Sequence, residues 1–119
     1  MLVEEHLVTV TTDGAGAGQG YTPVVRGRIL GIQYVPNGLT PYAATADVTV
    51  TLESSTRAVL TLTNLAAAGM FYPKAAVVSL VNGAITGNEE PVPVANERVS
   101  IAIAQGGATT TGVFRVLVG

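Results

Sequence analysis

Cysteine and tryptophan are both absent from the 119 residues, lysine occurs once, and charged side chains together make up only 12% of the chain. Without cysteine there is no disulfide, no thiolate nucleophile and no Cys-ligated zinc or iron–sulfur centre. A typical soluble protein carries about 25% Asp, Glu, Lys and Arg, so charge here is near half the norm. With 48% apolar residues, the composition is also far from that of a disordered, highly charged tail. Apolar runs are short, and none approaches the ~18 residues of a membrane-spanning helix. Six basic and eight acidic residues leave a net charge of −2. A nucleic-acid binder clusters its cations on phosphates, whereas Arg26, Arg28, Arg57, Lys74, Arg98 and Arg115 are scattered along the chain. Arg26 and Arg28 share one strand face, and two solvated arginines are the simplest account of them. These absences predict no nucleic-acid, membrane or small-molecule partner, and no cofactor or metal.

The start of the chain, Met1-Leu2-Val3-Glu4-Glu5-His6, is acidic where a signal peptide is basic, and no apolar segment follows it. Synthesis in a cytoplasm without general secretion is the expectation. No Asn is followed at the second position by Ser or Thr, so N-glycosylation is not expected.

What is abundant is β-branched: eighteen valines and fifteen threonines. Such side chains suit a pleated surface, and helix signals are nearly missing. Alternation and turn residues predict strands over 2–12, 24–35, 46–53, 57–63, 74–81, 98–104 and 112–118. In the first, Val8 and Val10 face opposite to Thr9 and Thr11. The second has two possible inward sets, Val25, Ile29 and Val35 or Leu30, Ile32 and Tyr34. The clearest hairpin joins 46–53 to 57–63 across Ser54-Ser55-Thr56. Asn82-Gly83 ends the fifth strand, and the last two strands read as a hairpin across 105–111. Asp13 to Gly20 reads as a flexible, glycine-rich loop, Asn64 to Met70 as a loop, and Glu90-Pro91-Val92-Pro93-Val94 as a proline-rich connection. The sum is one all-β domain spanning 1–119, an antiparallel β-sandwich of about seven to eight strands, with 1–12 a first strand or extended arm. A small β-barrel is the alternative.

Catalytic patterns fail one by one. Gly14, Gly16, Gly18 and Gly20 alternate without the spacing of a phosphate loop, and a strand follows them where a helix N-terminus is needed. His6 is the single histidine; it shares a face with Glu4, and no second histidine completes a metal set. Adjacent Glu89 and Glu90 point to opposite sides of an extended segment, which is wrong for a carboxylate dyad. No enzymatic activity is expected. The more informative residues are apolar ones in loops. Met70, Phe71 and Tyr72 concentrate bulk ahead of Pro73, and Leu39 and Tyr42 lie in the loop 36–42. Large apolar groups rimmed by polar ones mark interaction surfaces, although loop aromatics also cap the open ends of sandwich cores.

The run Tyr21 to Leu30, then Leu60-Thr61-Leu62-Thr63-Asn64, Phe71-Tyr72-Pro73, Pro93 to Val99 and Ala104-Gln105-Gly106-Gly107 resembles a group of small tailed-phage and prophage virion proteins of the head module. The similarity spans about 8–118, and its motifs are strand and turn signatures. It implies a capsid decoration or cement protein, made in the bacterial host cytoplasm and located on the virion. Its partners would be the major capsid protein and further copies of itself, as a homodimer or homotrimer. Leu39, Tyr42, Met70, Phe71 and Tyr72 are the residues expected to make contacts, together with the first strand. A tail, adaptor or baseplate component is one alternative. A carbohydrate-binding module using Tyr21, Tyr34, Tyr42 and Tyr72 is another.

Overall fold

A computed structural model describes residues 2–65, 67–78, 82–83 and 85–119. The described residues form ten strands and no helix. These are β1 (Glu4–Thr11), β2 (Gly18–Tyr21), β3 (Val25–Pro36), β4 (Asp47–Leu52), β5 (Ala58–Leu62), β6 (Gly69–Phe71), β7 (Lys74–Val78), β8 (Ile85–Glu97), β9 (Val99–Ala104) and β10 (Thr111–Val118). Two sheets are built from them, and every pairing is antiparallel. One has the order β1-β10-β3-β8-β7, with β6 also paired to β3; the other has the order β2-β9-β4-β5. The fold is a β-sandwich.

Alternation decides which side chains meet between the sheets. Val8 and Val10 of β1, Val48, Val50 and Leu52 of β4, and Val99, Ile101 and Ile103 of β9 are buried. Phe114, Val116 and Val118 of β10, which with β1 belongs to the six-stranded sheet, are buried as well and face the β4 and β9 residues across the sandwich. Each such side chain contributes about 1.5–3 kcal/mol when fully removed from water. The β4–β5 hairpin forms as the alternation predicts, with Val48 opposite Leu62 and Val50 opposite Leu60.

Strand β3 combines the two inward sets. Val25 and Ile29 face the core, then Ile32 and Tyr34 do. Gly31 lies opposite Leu117 and Ile29 opposite Val118, so Leu30 is an extra residue. A bulge of this kind shifts the period-two facing by one. It leaves Val35 on the outside.

Four expectations about segments change. The stretch 98–104 and 112–118 is not a hairpin: β9 pairs with β2 and β4, and β10 with β1 and β3. Both strands point apolar residues at the core, so they face each other across the sandwich rather than edge to edge. Their link crosses the end of the fold, held by Gly106 N–H on the Gly16 carbonyl (2.9 Å) and Ala43 N–H on the Gly106 carbonyl (2.9 Å). Second, the glycine-rich stretch ends in a strand. A Cβ on Gly18 would lie 2.7 Å from the Thr11 oxygen, and one on Gly20 would lie 2.7 Å from Val8 Cγ1. The two glycines let β2 lie directly against β1 and close one side of the sandwich. Third, Gly69, Met70 and Phe71 form β6 beside β3.

Fourth, the proline-rich connection is part of β8. Proline normally avoids sheet interiors because it cannot donate to a ladder. Strand β8 tolerates it by having different neighbours along its length: Val92, Val94 and Glu97 pair with β3, while Ile85, Glu89, Glu90 and Pro91 pair with β7. Strands β7 and β8 continue outward as a two-stranded ribbon. At its turn, Asn82 and Gly83 have φ of 64° and 60°, the positive values of the tight hairpin turn. The expected strand residues 79–81 lie outside the described set. The molecule is accordingly elongated, 49 × 27 × 24 Å. Its radius of gyration is 15.0 Å, against about 13.5 Å for a compact domain of this length.

Candidate functional site

Side chains capable of chemistry are dispersed, and most serve the fold. No group of three or more His, Asp or Glu is placed to hold a metal among the described residues. His6 Nε2 lies 3.2 Å from Glu4 Oε2, a neighbouring pair on one strand face. Glu97 is buried, and its Oε1 accepts from the N–H of Ser54 (2.9 Å), the N–H of Ser55 (2.9 Å) and Ser55 Oγ (3.2 Å). The Ser55 N–H is the main cause of its lowered pKa, which the Ser55 hydroxyl, the Ser54 N–H and nearby Arg57 reinforce against the opposing effect of burial. Arg57 Nη2 donates to the Pro93 carbonyl at 2.8 Å. Glu97 and Arg57 thus tie β8 of one sheet to the β4–β5 turn of the other. Asp13 does similar work: its carboxylate accepts from the N–H groups of Ala17 (3.1 Å) and Ala15 (2.8 Å), the two leading causes of its lowered pKa.

The five apolar residues singled out in the sequence separate into two groups. Tyr42 is buried, at 6% exposure. Its ring stacks on Tyr34 and Phe114, with centroids 5.6 and 6.3 Å away. Its hydroxyl donates to the Val10 carbonyl at 2.6 Å. Burial first, and the neighbouring Tyr34 hydroxyl second, hold its pKa well above the ordinary phenol range. Phe71 packs against the core as well. Tyr42 and Phe71 are therefore core-capping residues. Leu39, at 94% exposure, and Tyr72, at 63%, project into solvent. Met70 is half-buried, and its Cε occupies the space above Gly31, with the Tyr72 ring beside it.

Placement on the sheet extends this second group. Met70 lies opposite Gln33 on β3, on the face away from Ile32 and Tyr34. The same outer face carries Leu7 of β1 and Val35 of β3, both exposed, and half-buried Val113 and Leu117 of β10. Arg115, paired with Glu5 at 3.4 Å, interrupts the apolar row between Leu7 and Gln33. Leu7, Val35, Val113 and Leu117 were not singled out in the sequence. The signal that finds them is an apolar residue at the outward parity of an amphipathic strand, and it is readable only once the inward parity is known.

The outer face of the four-stranded sheet is different in character. Thr49 lies opposite Thr61 on one side and Ala102 on the other, and Thr51 opposite Ser100. Tyr21 is held there under the Arg98 guanidinium, 4.2 Å from its ring centre, and Arg98 also pairs with Glu53. With Tyr34 and Tyr42 in the core, only Tyr21 and Tyr72 are exposed; Tyr21 ends β2 of the four-stranded sheet, and Tyr72 follows β6 of the six-stranded one. The four tyrosines do not form one carbohydrate platform.

No family model matches the chain, and no curated protein does. Among solved structures, one described as "Crystal Structure of FLHE" covers 99% of this chain and 98% of its own, at 12% identity and a TM-score of 0.46.

Proposed function

We propose that this chain is a non-enzymatic structural protein of a phage virion, a capsid decoration or cement protein that stabilises the head shell by protein–protein contacts. The observation that carries the reading is the apolar outer face of the six-stranded sheet, where Leu7, Val35, Met70 and Tyr72 stand on one surface. Large apolar groups gathered on one exposed face, here set among polar ones such as Arg115 and Gln33, mark a contact surface. Scarce charge supports the same reading, since each ion buried at an interface costs several kcal/mol to desolvate unless paired. The resemblance in strand and turn motifs supplies the phage head as the setting. The partners are the major capsid protein and further copies of the chain, and the location is the capsid surface.

Binding to purified expanded capsids tests this directly. Wild-type chain co-sediments with the shells and raises their thermal disruption temperature. Leu7→Ser and Tyr72→Ser, exposed positions where substitution changes stability by less than about 0.5 kcal/mol, keep the fold and weaken co-sedimentation together. Shells that neither bind the chain nor gain stability from it refute the cement role. Labelled particles stained on the tail would assign the chain to a tail, adaptor or baseplate instead.

A further inference from the structure

We propose that two copies of the chain pair edge to edge through β7, antiparallel, about a two-fold axis passing between their Ala75 residues. This rests on the reading of the chain as a self-associating contact protein and names the surface that would do it.

Among the described residues, strand β7 ends its sheet and pairs only with β8. An outermost strand presents an unpaired row of N–H and C=O groups that templates another strand. An isolated two-stranded ribbon is marginal in water, whereas three or more strands are stable; joining two ribbons makes a four-stranded sheet. No charged residue occurs between Lys74 and Glu89, so nothing along the ribbon opposes its approach to a second copy.

The register follows from charge. Within one chain, Lys74 lies opposite Pro91, Ala75 opposite Glu90, and Ala76 opposite Glu89. Lys74 and Glu89 are both exposed, and neither makes an ion pair among the described residues. With Ala75 opposite Ala75 of the second copy, Lys74 falls opposite that copy's Ala76. The row then reads Pro91, Lys74, Ala76, Glu89, the last two from the second copy. Residues in one row share a face. The lysine and the glutamate are two strand spacings apart, about 10 Å between Cα atoms, with only an alanine methyl between them. Their extended side chains meet above it, and symmetry makes the pair twice. The two Glu90 residues are three spacings apart, about 14 Å, beyond the ~8 Å screening length at physiological salt. Two-fold dimers are the commonest symmetric oligomers, and their interfaces are self-complementary in this way.

Sedimentation equilibrium on the full chain, with far-UV circular dichroism to confirm folding, provides the test. Wild type sediments at twice its 12.1 kDa mass. Lys74→Glu and Glu89→Lys each place like charges in both rows and weaken association about tenfold or more. An equimolar mixture of these two variants regains the dimer, because opposite charges then meet between unlike copies. Thr61→Lys, on the exposed edge strand β5, leaves the dimer intact. A wild-type monomer at hundreds of micromolar overturns the proposal. So does a mixture that stays monomeric, or a dimer lost through Thr61→Lys but not through Lys74→Glu. A chain that dimerises in this way without binding shells refutes the decoration role alone, and a monomer that binds shells refutes only the β7 pairing.

Discussion

Replacing Tyr42 separates a core residue from a contact residue by magnitude. Truncating a buried aromatic to alanine costs about 3–5 kcal/mol through lost transfer energy and the cavity left behind. At Tyr42 the ring stacks on both Tyr34 and Phe114, and each aromatic pair adds about 0.5–1.5 kcal/mol beyond burial. The hydroxyl bond to the Val10 carbonyl adds about 1 kcal/mol. These contributions overlap, and Tyr42→Ala is expected to cost about 4 kcal/mol. At about 4 °C per kcal/mol for a domain of this size, the melting temperature falls by about 16 °C. Tyr42→Phe keeps the rings and loses at most about 1 kcal/mol, since the Thr111 hydroxyl still reaches the Val10 carbonyl at 3.3 Å. Urea denaturation followed by far-UV circular dichroism measures both. The alkaline limb offers a second readout. The Tyr42 pKa is raised in the folded state, so the stability tied to its neutral form is complete below the unfolded phenol pKa of about 10 and is lost as pH rises above it. Tyr42→Phe flattens that loss. An alanine variant costing under about 1 kcal/mol would show that the ring is not packed in a three-membered aromatic cluster, and the assignment of Tyr42 to the core would fall.

Two further expectations concern other parts of the fold. Gly18→Ala and Gly20→Ala force a methyl against Thr11 and Val8 and should each cost about 1–3 kcal/mol. Gly14→Ala meets nothing within 4 Å and should be neutral or slightly stabilising; equal urea midpoints for all three would refute the close approach of β2 to β1. Glu97 and Asp13 both have lowered folded-state pKa values, so their stabilisation is present above the ordinary carboxylate pKa of about 4 and is lost as pH falls through the lowered value. Glu97→Gln should therefore reduce stability at neutral pH and flatten its decline in acid, and an acid limb unchanged by this substitution would refute the role of its hydrogen bonds.

Strand existence was legible wherever one face met the core and the other met water. That condition held for β1 and for the β4–β5 hairpin, where Val48, Val50 and Leu52 alternate with threonine. It failed for β2, whose glycines have no side chains to alternate and are selected by contact with Val8 and Thr11 of the preceding strand, a packing that alternation does not show. It failed for β8, where two prolines read as a break until its change of partners explains them. Pairing was less legible than existence: 98–104 and 112–118 each show which face is buried, and nothing in that alternation says whether the two lie in one sheet. The bulge at Leu30 hid the inward parity of β3, and with it the outward Val35. Met70 and Tyr72 of the candidate surface, and exposed Leu39, stood out by bulk in a loop context, while Tyr42 has the same composition signal and the opposite placement.

The succession of neighbours along β3 has a consequence for how this chain can vary. Strand β8 pairs with its first half and β6 with its second, so the sheet forks and the ribbon between Pro73 and Pro91 leaves through the fork. No residue of that ribbon belongs to the core cluster among the described residues. Lengthening, shortening or exchanging the ribbon would therefore leave the buried contacts among the described core residues in place. The fold works as a fixed base carrying a replaceable extension, and its reach can change without a new core having to be found.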